Sequence, residues 1–275
     1  MNEHELAVRL GLPDETIRAL ETIQISPAET EKRKRQFLQA PDDFENWGQQ
    51  QSSGLTVLKI YLHLLPELRN AYAKRSIPEE ILWDSCKDFG IWCRDYIKLH
   101  GKAGLDHWGW ISMTMQMKLF RLGRLQFEPS FLPHDIRIGH RLYPVGTPHL
   151  EVHIPAEDPL DPEEVEKSLA EAIPFFRTYF SEDYTLFHCH SWLLAPALRE
   201  ILPESSRILQ FQSLFTVYDR DGERQAEERV FGALCQDPAQ YPQTTSLQRS
   251  LRRYLMQGNA IGVGLGLRST EEESI

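Results

Sequence analysis

His149-Leu150-Glu151-Val152-His153-Ile154, read together with Leu186-Phe187-His188-Cys189-His190, decides how this chain folds. Strand side chains alternate between two faces. The first segment therefore sets Leu150, Val152 and Ile154 against His149, Glu151 and His153, and the second sets Phe187 and Cys189 against His188 and His190. Residues 161–180 lie between them and open with Asp161-Pro162-Glu163-Glu164, an N-cap aspartate, a proline at the first helical position and acids in the first turn. Val165, Leu169, Ile173 and Phe176 recur at helical spacing, with Pro174 expected to bend the helix. Strand, helix, strand is a βαβ unit whose strands are expected to be parallel and close together. Up to five titratable side chains then gather in one place, where proton transfer or metal binding becomes possible.

Outward from this unit, the first 120 residues read as helices. Ile17, Leu20 and Ile23 mark one over 15–24, and 27–39 is a charged helix or solvated linker. An apolar helix over 55–76 should be kinked or split at Pro66. One helix is expected from Pro78 to about His100, ended by Gly101 and Gly104, and a methionine-rich amphipathic helix over 105–122. The period then changes. Residues 124–128 alternate like a strand, and 129–148 read as a loop with a hairpin around Gly139. After His190 the expectations are a helix over 193–202, a long strand over 207–218, a turn at 219–222, a helix over 246–257 and a strand over 260–267. Gly262-Val263-Gly264-Leu265-Gly266 has the look of a phosphate loop, but no helix follows it. It reads as a strand whose glycines admit another backbone. The tail Glu271-Glu272-Glu273 is expected to fray.

The 275 residues suggest one or two domains. A formal net charge of −10 argues against a nucleic-acid partner and favours cationic small molecules such as amines. Cys86, Cys93, Cys189 and Cys235 show no metal or disulfide spacing, which fits a reduced, cytoplasmic setting. The N-terminus lacks an apolar signal segment, and no apolar run approaches 18 residues, so no membrane association is expected.

Glu151 and His153, two apart on one strand face, could both touch one substrate and accept its proton. Satisfied histidines in a packed interface are the bland alternative. His188-x-His190 could chelate a metal with His153 or Glu151, yet no third ligand stands at a diagnostic distance, and no metal is expected. Cys189 points away from both adjacent histidines and reads as core rather than nucleophile. Ser191 could orient a substrate, although capping the next helix is the better reading. Arg249, Arg252 and Arg253 form a basic patch that is either solvated or set against a phosphate.

The runs Lys118-Leu-Phe-Arg-Leu-Gly-Arg-Leu-Gln-Phe127, Leu150-Glu-Val-His-Ile-Pro155 and Phe187-His-Cys-His-Ser-Trp-Leu-Leu194 resemble a group of bacterial proteins that pair a helical N-terminal acyltransferase domain with a GNAT-like C-terminal domain. The resemblance covers nearly the whole chain. It implies an α/β (α+β) protein in which a helical domain, residues 1–120, packs on a GNAT-like mixed sheet with flanking helices, residues 121–275. It also implies acetyl-CoA or another acyl-CoA as co-substrate and direct transfer of the acyl group to a small amine. On that reading the strands at 149–154 and 185–190 splay, and the pantetheine arm enters between them. Val152, His153 and Ile154 would contact the cofactor, and in place of the family's phosphate loop Arg121, Arg124 or the Arg249–Arg253 patch would be the cations for its phosphates. Glu151, His153 or His190 would serve as acid or base, and His188, Ser191 and Trp192 would meet the substrate.

One departure from the pattern stands out. GNAT enzymes place a glycine-rich, basic loop before the helix, whereas this chain has Pro155-Ala-Glu157-Asp158-Pro-Leu-Asp161-Pro-Glu163-Glu164, five carboxylates and three prolines. A tyrosine usual on the helix after the second strand is also missing. Two alternatives therefore stand beside acyl transfer: a non-catalytic GNAT-fold protein that binds a small ligand, and a metal-dependent enzyme using His153, His188 and His190.

Overall fold

The computed structural model describes residues 1–270; the acidic tail expected to fray lies outside them. The chain forms two compact units, Met1–Arg121 and Leu122–Ile275.

The first unit is helical. Its helices are Glu3–Arg9, Asp14–Thr22, Pro27–Gln39, Pro41–Gly48, Leu55–Lys74, Glu79–Ser85, Asp88–His100 and Trp108–Met115. Leu55–Lys74 is its axis, with Leu58, Ile60, Tyr61, Leu62, Leu65 and Tyr72 fully buried. Pro66 does not split it. An interior proline costs about 3 kcal/mol, less than the burial of two or three of these large side chains returns at roughly 1.5–3 kcal/mol each. The helix expected from Pro78 to His100 is two helices instead. The chain breaks at Cys86-Lys87 and restarts with Asp88 turned inward, where its carboxylate accepts the Trp110 Nε1–H at 2.7 Å. The helix expected over 105–122 ends at Met115. The Lys118 amide donates to Met113 O and the Met117 amide to Thr114 O, with Met117 in the left-handed region (φ +57°). That closure turns the chain out of the helix before Leu119.

The remaining elements are mixed. The strands are β1 (Phe120–Leu122), β2 (Leu125–Phe131), β3 (Ile136–Ile138), β4 (Arg141–Tyr143), β5 (Pro148–His153), β6 (Leu186–Ser191), β7 (Thr216–Asp221) and β8 (Val263–Ser269). They form one six-stranded sheet in the order β1-β2-β5-β6-β8-β7 and the separate hairpin β3-β4, turning at Gly139 as expected. β5 and β6 are parallel, and the helix Pro162–Phe180 connects them. β2 pairs antiparallel with β5, and β8 antiparallel with both β6 and β7. On one face Phe127, Leu150, Val152, Phe187 and Cys189 are buried, and the helix buries Val165, Leu169, Ala172 and Phe176.

Three expectations in this unit are corrected. Residues 207–218 are not one strand: Arg207–Gln212 is a helix and only Thr216–Asp221 is strand. Ser206 caps that helix by accepting the Ile208 amide. Gln212 is buried where its Nε2 donates to Ala195 O at 2.9 Å, a role that needs the helical spacing. The turn expected at 219–222 is instead largely the end of β7, whose ladder with β8 extends to Asp221↔Val263 across a bulge between Val217 and Asp219. The helix expected over 193–202 is a 3-10 turn, Trp192–Leu194, followed by the short helix Leu198–Ile201. Pro196 enforces the gap, since Ala195 before it is held extended (ψ 122°). The glycine-rich segment does lie in a strand, β8. A Cβ on Gly264 would stand 2.2 Å from Leu194 O, so only glycine permits this backbone approach.

Candidate active site

The ladder between β5 and β6 registers Leu150↔Phe187 and Glu151↔His188 and goes no further, although β5 continues to His153 and β6 to Ser191. The two strands part at Glu151, and the polar side chains collect around this fork. Register accounts for the gathering. Paired residues on adjacent strands share a face, so Glu128 on β2, Glu151 on β5 and His188 on β6 line up across the sheet.

Glu151 is the hub. Its Oε2 accepts from His188 Nδ1 at 2.5 Å and lies 3.3 Å from His149 Nε2, and its Oε1 accepts the His190 amide at 3.2 Å. Burial alone would push its carboxyl up. The hydrogen bonds from His149 and His188, with the electrostatic pull of the His188 and His153 rings, outweigh burial and hold it well below the usual carboxylate range. The other nitrogen of His188, Nε2, is 2.9 Å from Tyr218 OH. Burial pushes the Tyr218 phenol up to about 12, and the negative charges of Glu151 and Asp219 add to the effect. His149 is almost wholly buried, and its Nδ1 has no hydrogen-bond partner among the described residues.

His153 and His190 flank this hub, each with its own carboxylate. His153 Nε2 is 3.1 Å from Glu128 Oε2, and His190 Nε2 is 2.6 Å from Asp221 Oδ2. Burial raises the Asp221 carboxyl, but the Glu223 amide and His190 more than offset it and keep the group low. The trio His153, His188 and His190 is thus not assembled as one ligand set. The triads whose ligand atoms lie within 4.8 Å of one another, among the described residues, are His149-Glu151-His188 and the more exposed His190-Asp221-Glu223.

The other singled-out residues divide by what they touch. Val152 is buried on the core face, so it could meet a ligand only through its backbone, and Ile154 lies just past the end of β5. Cys189 is fully buried, which pushes its thiol well above the ordinary value and leaves no available nucleophile at this position. Ser191 caps the 3-10 turn by accepting the Leu193 amide, and the Trp192 amide donates to Gln225 Oε1. Arg124 donates from Nε to Pro159 O at 2.8 Å and from Nη2 to Asp158 O at 2.9 Å, while its amide bonds Ser168 Oγ. It fastens the acidic loop to the sheet. Arg121 belongs to the first unit, is buried, and donates its amide to Ser85 Oγ. In the basic patch, Arg249 and Arg252 reach the carbonyls of Gln243, Thr244 and Ala239.

The helix N-terminus beside the fork is already occupied by protein groups. Asp161 accepts the Glu163 amide through Oδ1 and the Val165 amide through its carbonyl, and Pro162 has no N–H to offer.

Glu128, Tyr218 and Asp221 were not reachable from sequence spacing. Tyr218 and Asp221 sit on a strand that the alternation misplaces, and Glu128 joins the site through cross-strand register. His149 did carry a signal, the period-two alternation that sets it beside Glu151 and His153.

A parallel pair parting around a carboxylate–histidine hub, with the connecting helix on the other face, defines an acyltransferase fold of GNAT-like architecture. The chain belongs to that family: residues 119–268 match the GNAT-like C-terminal domain, and residues 1–117 match the N-acyltransferase N-terminal domain. Among solved structures it is similar to an acyltransferase in complex with decanoyl-CoA, at a TM-score of 0.80 and 25% identity over 97% of this chain and 87% of that chain. It is also similar to an acyltransferase in complex with decanoyl-CoA and teicoplanin, at a TM-score of 0.79 and 24% identity over 98% and 88%. A mutant acyltransferase in complex with octanoyl-CoA matches at 0.78 and 24% over 97% and 87%. No curated protein matches the chain. Among the described residues, no helix is long and apolar enough to cross a membrane.

Proposed function

We propose that this protein moves an acyl group from an acyl-CoA thioester to the amino group of a small molecule by direct attack. The observation that carries this reading is the fork, where β5 and β6 stop pairing at Glu151↔His188 while both strands continue. A pantetheine arm laid in that gap continues the ladder along β5. The amides of the 152–154 segment then polarise the thioester carbonyl as charge develops on its oxygen. The amine attacks the carbonyl carbon, the tetrahedral intermediate collapses, the C–S bond breaks, and CoA leaves as its thiol. The histidine–carboxylate pairs His188–Glu151 and His153–Glu128 stand at the fork as the proton acceptors this route needs. The burial of Cys189 agrees with a route that has no acyl-enzyme. The solved neighbours hold octanoyl-CoA or decanoyl-CoA, which makes medium-chain thioesters the first donors to try.

A second reading, a GNAT-fold protein that binds a small ligand without turnover, draws on the capped and acidic helix start at 161–164. Such a start repels a pyrophosphate. Calorimetric titration of acetyl-CoA and octanoyl-CoA, followed by thiol release in an amine screen, separates the two. Micromolar binding with amine-dependent thiol release supports acyl transfer. A folded protein that binds neither thioester overturns it.

A further inference from the structure

His149, Glu151, His188 and Tyr218 form one hydrogen-bonded line across three strands, with separations of 3.3, 2.5 and 2.9 Å from the buried end outward. For His188 as the neutral imidazole that a proton acceptor must be, the direction of every hydrogen in it follows from chemistry. An ionised carboxylate only accepts, so His149 Nε2–H and His188 Nδ1–H both donate to Glu151. A neutral imidazole carries one N–H, so His188 Nε2 is bare and accepts, and Tyr218 O–H must be the donor. His149 takes the opposite tautomer, Nε2–H, and its remaining nitrogen, Nδ1, is the one left without a partner. The line is thus polarised from both ends. His149 and His188 are buried, while Tyr218 on β7 is half-buried and forms the end nearer solvent.

We infer that Tyr218 is a catalytic proton-transfer group acting through His188, with Glu151 and His149 as positioning residues. This deepens, and rests on, the acyl-transfer reading. As the amine attacks, its departing proton bonds to Tyr218 Oη while the Tyr218 proton passes to His188 Nε2. The resulting imidazolium is held against the Glu151 carboxylate. When the C–S bond breaks, the proton on Nε2 returns to Tyr218, and the phenol proton goes to the CoA sulfur. Amine and thioester become amide and thiol, and all four side chains end as they began. A phenol held near 12 keeps its proton at neutral pH, as a relay that donates in both steps requires. The groups facing His188 are His149 and Glu151 on β5 and Tyr218 on β7. His153 acts on Glu151, Asp219 acts on Tyr218, and Tyr143 of the hairpin packs in the same cluster as Tyr218. On β8 the residue paired with His188 is the apolar Leu267.

The test has two arms on the full chain. Nitrogen-15 imidazole spectra report tautomers without any substrate. The expected result is His188 as the Nδ1–H form, with an Nε2 resonance that moves in Tyr218→Phe because the phenol donor is gone. An Nε2–H form in the wild type overturns the relay. The second arm uses octanoyl-CoA with an amine found in the screen. Tyr218→Phe should lower kcat about 100-fold, within the usual range for a proton-transfer group, with KM for octanoyl-CoA little changed. His149→Phe should lower kcat and displace the acid limb of the pH–rate profile, and His149→Gln, which keeps an N–H donor, should restore part of it. Full activity in Tyr218→Phe overturns the proposal. No turnover by the wild type, with the Nδ1–H form present, overturns acyl transfer and the catalytic role of Tyr218 with it. The hydrogen-bond line itself would still stand.

Discussion

The two oxygens of Glu151 take hydrogen bonds from His149, His188 and the His190 amide. A carboxylate so engaged is a poor proton acceptor but a strong orienter, and this shifts the base role toward the imidazoles. The same contacts link folding to pH. A carboxyl held below its ordinary value contributes stability that is fully present above the unfolded pKa, about 4.3 for a glutamate. That contribution is lost as pH falls through the depressed folded value. Urea midpoints should therefore drop between pH 5 and the acid limit in the wild type, and fall less over that range in Glu151→Gln. Equal slopes in the two proteins would remove Glu151 from the linkage. At this scale the sequence was legible only along a single strand. His149, Glu151 and His153 share a face by period alone, whereas Tyr218 meets His188 across a sheet order no local pattern states.

Among the elements, the loop between β5 and its helix departs furthest from the resemblance. Its carboxylates crowd the helix start, and Arg124 holds its carbonyls at 158 and 159 through two different nitrogens. Arg124→Ala should raise hydrogen exchange and proteolytic nicking at 155–161 with the sheet intact. Arg124→Lys should not restore protection, since a single ammonium cannot span both carbonyls in the guanidinium geometry. Protection in the alanine variant equal to wild type would show that the loop holds itself. The misread segment 207–218 teaches a related point. Leu209, Phe211 and Phe215 satisfy alternation, yet Ile208, Phe211 and Phe215 satisfy helical spacing as well. The Ser206 cap and the carbonyls awaiting Gln212 decide between them.

For the whole molecule, a net charge of −10 and an acidic loop set beside the fork should give the proposed acyl-CoA binding an unusual salt response. Enzymes that clamp CoA phosphates with cations lose affinity as salt rises. Here screening weakens repulsion instead, because the Debye length shrinks from ~30 Å at 0.01 M to ~8 Å at 0.15 M. Octanoyl-CoA should bind equally or more tightly at moderate salt than at low salt in calorimetric titrations. A marked weakening would reveal a cationic phosphate site. The sequence by itself determined the βαβ unit, its polar and apolar strand faces, the mixed composition of the second unit and the helical character of the first. Those features follow from period, caps and prolines, which act over a few neighbouring residues. Only the tertiary structure decided where β5 and β6 part, which carboxylate each histidine meets, and that Tyr218 ends the line. Register between strands far apart in the chain is fixed by how the whole sheet buries its apolar face, and no short stretch of sequence contains that information.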